Sequence, residues 1–334
     1  MKNKKIHKSI YIGAFLFLCI ICLFILSLLM GEPTLDLATL GQVLTNQYDL
    51  EIHRIVVWEI RMPRSIIAIM AGMMLALAGH ILQDTFQNDL ATPELISVTA
   101  GSSFVMACMT VFGLPVLFTV QPFLALLGGL IAGGFVIASA KSTFKKGSII
   151  LLGTAVSAFL NALIIIIIAL GRENQIGLLF FYLAGSLSAR NWSHVSHLLP
   201  WFIIFVPLAL GSARSLNVLR LGDEAAVGRG ASVLTMKILL LVISAGLTAV
   251  VVANCGPIGF ISLITPHLTK RLLRTSNAAI VLPITALLGG LLLLTGDLLM
   301  RILFYPVELP VGLLTTIIGG SLFLVLLYRR SVRT

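Results

Sequence analysis

The chain has 334 residues, of which 58% are hydrophobic and 11% are charged. Soluble domains carry about 25% charged residues, so this composition excludes an ordinary soluble enzyme and predicts a chain that crosses a membrane several times. The formal net charge is +10. The basic residues lie in short segments beside apolar runs, a pattern that is typical of topology control and not of nucleic-acid binding.

Ten apolar runs approach the length of about 20 residues that a spanning helix needs. We therefore predict an all-α polytopic membrane protein with about ten transmembrane helices, forming a single transmembrane domain over residues 1–334. The first run is too long for a signal peptide and no small-residue cleavage site follows it, so we expect an uncleaved span. The eighth run is the weakest, because it is short and contains Pro266. The predicted spans are residues 10–30, 63–83, 95–112, 116–140, 148–170, 196–210, 233–253, 258–268, 279–296 and 311–328.

The distribution of Lys and Arg predicts the orientation of these spans. With a cytoplasmic N-terminus and ten crossings, cytoplasmic segments hold 17 of the 23 basic residues and external segments hold 6. Because cytoplasmic loops carry an excess of Lys and Arg, we expect a multi-pass protein of the bacterial cytoplasmic membrane with both termini in the cytoplasm. Nine spans would place the basic C-terminus outside, which the same rule disfavours.

Residues 211–232 form a polar segment between two apolar runs, on the predicted cytoplasmic side. Residues 222–224 (Gly-Asp-Glu) can open a short helix, because carboxylates in a first turn satisfy free N–H groups and oppose the helix dipole. Gly228 or Gly230 can end it. A plain connector does not need a compact helix with small surface residues, so we predict a surface that another protein grips.

The 13 carboxylates all lie in loops or near predicted span ends, and Asp84 and Asp297 come closest to the membrane. An ion-coupled secondary transporter needs charges or ion ligands at depth, so this map argues against that class. An intramembrane enzyme would need a nucleophile or a metal cluster, and His267 has no second ligand at metal spacing. The chain also has no G-x-x-x-x-G-K-[ST] phosphate loop, so any use of ATP requires a separate subunit.

The fifth predicted span places Thr154, Ser157 and Asn161 on one helical face. Such a polar stripe either lines a transport path or serves close helix–helix packing, and both interpretations stay open. His80, in the second span, is interpreted as a packed core histidine because no acidic residue lies one turn before it.

Residues 61–101, 254–273 and 296–320 carry an ordered set of motifs, together with the segment LGDEAAVGRG. The motifs read R-x-P-R, G-x-x-L-A-x-x-G, N-x-L-A-x-P and T-P-H, then D-x-x-x-R and E-x-P-V-G. This order resembles the FecCD-type permeases of type II ABC importers for iron–siderophore, haem and cobalamin. Three positions depart from the family pattern: Asp89 replaces a proline, Ser262 a glycine and Lys270 an arginine.

The resemblance implies roles for three sets of residues. External arginines would pair with acidic residues of a substrate-binding protein, since guanidinium groups bind carboxylates bidentately, although interfacial snorkelling is the alternative. The polar segment would be the coupling helix for the ATPase, and the turns beside the second and fifth spans would form a gate. The docking residues are Arg61, Arg64 and Arg301; the coupling residues are Leu221, Gly222, Asp223, Glu224, Ala225, Ala226, Gly228 and Arg229; the gate or pathway residues are Asn88, Leu90, Ser148, Thr154, Ser157 and Asn161.

The resemblance also implies the partners and the cargo. We predict the membrane-spanning permease subunit of an ATP-driven importer for a ferric siderophore, with a haem or cobalamin importer of the same family and an ion-coupled secondary transporter as alternatives. The expected partners are a second permease chain, identical or related, two ATP-binding subunits, a substrate-binding protein or lipoprotein, and membrane lipid. No nucleic acid, cofactor, metal site or catalytic residue is expected, so the chain is not predicted to be an enzyme. Glu308, near the docking arginines, is interpreted as a cap or a pairing partner.

Overall fold

The computed structural model describes residues 2–45, 51–140, 148–171 and 173–331, and within these the side chains of 8–45, 51–139, 149–171, 176–177 and 179–321. This part of the chain is helical and contains no strand. A π-helical segment, Ile55–Arg61, leads into α4. The α-helices are α1 Lys2–Leu29, α2 Leu37–Leu44, α3 Glu51–Arg54, α4 Met62–Thr85, α5 Val98–Val111, α6 Gln121–Ala140, α7 Ser148–Ala169, α8 Glu173–Leu183, α9 Trp192–Gly211, α10 Ala213–Leu219, α11 Asp223–Val227, α12 Val233–Cys255, α13 Ile261–Leu273, α14 Ala278–Leu303 and α15 Val311–Ser331.

Each of the ten predicted spans coincides with a helix, but their lengths differ from the prediction. Among the described residues, seven helices are long and apolar enough to cross a membrane, and Val98–Val111 and Val311–Ser321 are shorter apolar helices. α5 has 14 residues and α13 has 13, or about 20 Å at 1.5 Å per residue, less than the ~30 Å hydrocarbon core. The eighth predicted span, residues 258–268, is short as expected, and α5 is shorter than the predicted span of residues 95–112.

α4 lies at the centre of the bundle, against α9, α12, α13 and α14. In the most apolar stretch of the span that contains α4, 83% is buried inside the protein, whereas only 17% of the corresponding stretch of α7 is buried. Two glycines let other backbones touch α4 directly: a Cβ at Gly72 would overlap the carbonyl of Gly289 on α14, and one at Gly79 would overlap the carbonyl of Ser262 on α13. Small residues at such crossings are how helices pack closely inside a membrane.

The polar segment between α9 and α12 folds as two short helices, α10 and α11. α11 starts at Asp223 and ends at Val227 with Gly228 as its C-cap, so the short helix predicted from the sequence is confirmed. Gly222 precedes it at φ +100°, a conformation that favours glycine. Ala226 is fully buried while its neighbours on α11 are exposed, so α11 is seated on the bundle by one small residue.

Candidate functional site

A buried ion pair joins α4 to α14 at the end of the bundle that we name the Arg64 end. Arg64 Nε donates to both carboxylate oxygens of Asp297 at 3.0 Å, and Nη2 donates to Asp297 Oδ1 at 2.8 Å. Their side chains are only 5% and 2% exposed. A buried charge of this kind is tolerated only when it is paired and hydrogen-bonded, so Asp297 fixes the Arg64 guanidinium.

Glu308 completes this cluster from the loop before α15. Arg64 Nη1 donates to Glu308 Oε2 at 3.1 Å, and the Ser188 hydroxyl donates to the same oxygen. Burial raises the pKa of the Glu308 carboxyl, but the Ser188 hydrogen bond and the Arg64 charge outweigh it and hold the pKa below its ordinary value. Glu308 is therefore charged at neutral pH, and its predicted role as a pairing partner is confirmed.

The other two arginines predicted to dock a partner are bonded to backbone near the end of α1. Arg61 is 3% exposed, and its guanidinium donates to the carbonyls of Leu28, Leu29 and Pro33. Arg301 is half-buried and donates to the carbonyl of Ser27 at 2.6 Å. In this conformation all three arginines hold internal partners, so any external carboxylate has to compete for them.

A second buried carboxylate, Asp84, marks the opposite end of α4, which we name the Asp84 end. Arg220 Nη2 lies 2.9 and 2.7 Å from the two carboxylate oxygens, and Lys270 Nζ lies 3.0 Å from one of them. Asp84 is 4% exposed. Because Arg220 caps α10 and Lys270 belongs to α13, one carboxylate ties the central helix to the segment that carries α11.

His80 lies within the same polar group. Its Nε2 is 3.1 Å from Asp84 Oδ2, and its Nδ1 is 3.3 Å from the hydroxyl of Thr285 on α14. The interpretation of His80 as a purely packed histidine missed this contact, because the acidic neighbour lies one turn after it on the helix and not one turn before.

The three departures from the family pattern all lie at one interface, between the α4–α5 loop and α13. Lys270 Nζ lies 3.6 Å from Asp89. The hydroxyl of Ser262 lies 3.1 Å from each carboxylate oxygen of Glu94. Burial raises the pKa of the Glu94 carboxyl above its ordinary value, against the opposing hydrogen bonds. Each of the three departing residues therefore takes part in a polar contact across this interface.

The predicted gate residues lie in two places, within this loop and on α7. Asn88 and Leu90 form a tight turn in which the Asn88 side chain accepts a hydrogen bond from the Leu90 amide at 3.0 Å. Ser157 on α7 donates to the Glu94 carbonyl at 2.9 Å, so α7 is bonded to the loop. Asn161, one turn further along α7, is exposed.

The two remaining predicted gate residues also lie on α7. Thr154 donates only to its own helix, at the carbonyl of Leu151. Ser148 begins α7, but its side chain lies outside the described part of the chain. The polar stripe predicted on α7 is therefore divided between two environments: Ser157 packs against the loop, whereas Asn161 is exposed.

The residues predicted to couple to an ATPase lie together around α11. They form an exposed surface of the Asp84 end except for buried Ala226 and half-buried Gly222. Asp223 pairs with Lys237 of α12 at 2.6 Å, which holds α11 to a second helix. The exposed members of the set are Leu221, Asp223, Glu224, Ala225, Gly228 and Arg229.

Four residues of these two clusters were assigned no role from the sequence: Asp84, which was noted only as lying close to the membrane, Arg220, Glu94 and Ser188. A signal existed for Asp84, since a carboxylate four residues after His80 occupies the same helical face. The others lie in loops or at helix ends, and their partners are at least 63 residues away in sequence. Sequence spacing cannot reveal such pairs.

The chain is similar in sequence and in fold to known membrane transport proteins. The sequence model of the FecCD transport family matches residues 18–329. The chain is 38% identical over 279 residues to the Fe(3+) dicitrate transport system permease protein FecD of Escherichia coli (strain K12), which covers 83% of this chain and 86% of that protein. It is 32% identical to the Iron(3+)-hydroxamate import system permease protein FhuG of Bacillus subtilis (strain 168), over 99% of this chain and 100% of that protein. A solved inward-facing metal-chelate type ABC transporter superimposes with a TM-score of 0.83 and 29% identity, over 96% of this chain and 99% of that one.

Proposed function

Because this chain belongs to the FecCD transport family, we propose that it is the membrane-spanning permease subunit of an ATP-driven importer for a ferric siderophore. The Asp84 end faces the cytoplasm, and the Arg64 end faces outward. A second permease chain, two ATP-binding subunits and an external substrate-binding protein complete the transporter. The chain itself supplies the path and the moving parts, and carries out no covalent chemistry.

The observation that carries this proposal is the exposed helix α11 at the Asp84 end. The segment that carries α11 is bonded to the bundle at two places: Asp223 of α11 pairs with Lys237 on α12, and Arg220, which precedes α11, reaches the buried Asp84 of α4. A force applied to α11 therefore reaches the central helix through charge-assisted bonds, which are stronger than neutral ones. A coupling helix needs such a connection to the bundle, so this geometry supports a separate ATP-binding subunit as the source of the force.

The gate in this proposal is the contact between the α4–α5 loop, α7 and α13. Ser157 and Ser262 bond this loop to both helices. A shift of α13 relative to α4 would pull the loop through Lys270, which reaches both Asp84 and Asp89. Movement of α11 and opening of the loop are thereby linked through the same carboxylate, Asp84.

The exposed face of α7 provides the surface for the second permease chain and the transport path between the two. Leu151, Phe159 and Ile165 are 74%, 63% and 67% exposed, and Asn161 interrupts this apolar face. A lipid-facing helix gains nothing from an amide, whereas a path between two chains does. We assign Asn161 to the path and the flanking apolar residues to lipid and the partner chain.

The cargo assignment follows the chemistry of the relatives. FecD is named for ferric dicitrate and FhuG for iron(3+)-hydroxamate, and both ligands present ferric iron in an organic chelate. A siderophore of this type is therefore the proposed cargo, and haem or cobalamin is the alternative within the family. Uptake assays with ferric hydroxamate, ferric dicitrate, haem and cobalamin would decide among them.

The proposal is tested by purifying the tagged chain from membranes of the bacterium that produces it and identifying the proteins that co-purify. We expect an ATP-binding subunit and a binding protein to co-purify, and uptake of ferric siderophore into proteoliposomes to be ATP-dependent and inhibited by vanadate. Glu224→Arg should abolish recovery of the ATPase. Glu59→Arg, the same charge change at an exposed carboxylate of the Arg64 end, should retain it.

Two results would overturn the proposal. Uptake by the purified chain alone, driven by a proton or sodium gradient, would assign it to the secondary transporters. Recovery of the ATPase with Glu224→Arg and normal ATP-driven uptake would remove α11 as the coupling element.

A further inference from the structure

The two carboxylates that hold Arg64 differ in how firmly they are held. Asp297 is 2% exposed and occupies Nε and Nη2 of the guanidinium. Glu308 is 54% exposed and occupies only Nη1, at the outer edge of the cluster. Removing Glu308 leaves Arg64 paired with Asp297, whereas removing Asp297 would leave a buried charge with one of its four hydrogen bonds. Glu308 is therefore the partner that can be exchanged.

Glu308 also supplies a polar link between α4 and a neighbouring segment whose Leu187 lies in the same apolar cluster as residues of α4. Its Oε2 accepts the Ser188 hydroxyl, which belongs to residues 184–191, the segment between α8 and α9. That segment is joined by backbone hydrogen bonds to α12 and α15: the Ser186 amide donates to Cys255 and the Gly312 amide donates to Gly185, both at 2.9 Å. The Glu308 carboxylate thus links α4 to a segment that is also bonded to α12 and α15.

An incoming carboxylate can replace Glu308 at little cost. The exchange substitutes one charge-assisted N–H···O bond on Nη1 for another, and Glu308, already half-exposed, becomes hydrated. An arginine cannot lose its charge, so Nη1 retains its need for an anionic partner throughout. A neutral or basic side chain would gain nothing at this position, which selects an acidic partner.

We infer that Glu308 is a displaceable internal partner of Arg64: an acidic side chain of the docking protein takes its place on Nη1, and the freed Glu308 releases residues 184–191 and the start of α15 from α4. The inference rests on the proposed function, since it names how the binding protein is recognised. It explains how an arginine that is buried and paired in the free permease can still serve as a docking residue, and it makes docking itself a signal to the helices around the path.

The test uses the binding protein that co-purifies with the wild-type importer, and importer complexes in lipid nanodiscs. Glu308→Gln removes the competing charge with little change in size, so docking should become at least about threefold tighter than wild type. Glu59→Gln is the matched control: it removes one exposed carboxylate from the same end without touching Arg64, and reports the general electrostatic effect alone. Glu308→Asp keeps the charge but places the carboxylate one methylene further from Arg64 and Ser188, so it should give an intermediate affinity.

Hydrogen exchange supplies a second readout. In the wild type, docking should increase amide exchange in residues 184–191. In Glu308→Gln the exchange should be raised before docking and change little afterwards. If wild-type importer binds no binding protein, the proposed function fails. If it docks normally but Glu308→Gln and Glu59→Gln tighten docking equally, or docking leaves exchange in residues 184–191 unchanged, the inference is overturned while the proposed function stands.

Discussion

Asp84→Asn tests whether one buried carboxylate holds the central helix to the segment that carries α11. The substitution preserves the size of the side chain but leaves the cations of Arg220 and Lys270 around a neutral amide. Removing one partner of a buried ion pair costs about 3–5 kcal/mol. Because the side chains of Arg220 and Lys270 are 18% and 22% exposed, water offsets part of this loss, and we expect about 2–3 kcal/mol.

The assay is thermal unfolding of the purified importer, measured as the fraction that stays monodisperse on size-exclusion chromatography after heating. A loss of this size should lower the apparent Tm by roughly 5–10 °C, at about 2–4 °C per kcal/mol. Asp89→Asn is the control, because Asp89 contacts the same Lys270 at 3.6 Å but is 65% exposed. An exposed pair contributes less than about 1 kcal/mol, so the control should shift Tm by less than about 4 °C and by less than Asp84→Asn does. Equal shifts in the two variants, or an unchanged Tm for Asp84→Asn, would refute the reasoning.

Three further predictions concern the Arg64 end and the helix crossings. Asp297→Asn alone should destabilise the chain by about 3 kcal/mol, whereas Arg64→Met combined with Asp297→Leu should recover most of that loss in the same heating assay; failure to recover would mean that the pair is not isolated in an apolar site. Gly79→Ala should lower the yield of folded chain, because the added methyl overlaps a carbonyl of α13, while Gly134→Ala, where it meets no atom within 4 Å, should not; equal yields would contradict the close crossing. Since the pKa of Glu308 lies below its ordinary value, its pair with Arg64 is present at neutral pH and is lost only as the pH falls through that lower value. Amide exchange in residues 184–191, corrected for intrinsic rates, should therefore match at about pH 7.5 and about pH 5.5, and a rise at the lower pH would contradict the sign of this shift.

The helices were predictable because each is encoded locally. An apolar run of about 20 residues in a chain this hydrophobic has few alternatives to a spanning helix, since every backbone group must be satisfied within the segment. α11 was predictable for another local reason: acidic residues follow one glycine and precede a second, which sets both ends of a five-residue helix. Composition could not reveal α2, α8 or the π-helical segment, because these are short and their stability comes from packing.

The ion pairs were not predictable, because they join residues that are distant in sequence. Arg64 and Asp297 are 233 residues apart, and Asp84 and Arg220 are 136 apart. The sequence indicated only that both carboxylates lie near the membrane and that Arg64 lies at a span end. The assignment of all three arginines to docking stays a prediction, and the structure adds to it the cost of burial, which an internal carboxylate or backbone carbonyl has to offset before any external partner arrives.

The positions of the two clusters on α4 give a physical reason for the absence of a midplane charge. Arg64 and Asp84 are separated by 20 residues, or about 30 Å of helix, which is the thickness of the hydrocarbon core. A charged pair at each end leaves the middle of α4 apolar, and its glycines meet the backbones of α13 and α14 directly. A charge at the centre would instead fix the helix to one partner. In the proposed transporter, energy enters at α11 and cargo is delivered at the opposite face, so α4 would be the element that both events bias. The two ends should then respond to each other: loss of the Asp84 pair should alter hydrogen exchange in residues 184–191, a whole membrane thickness away.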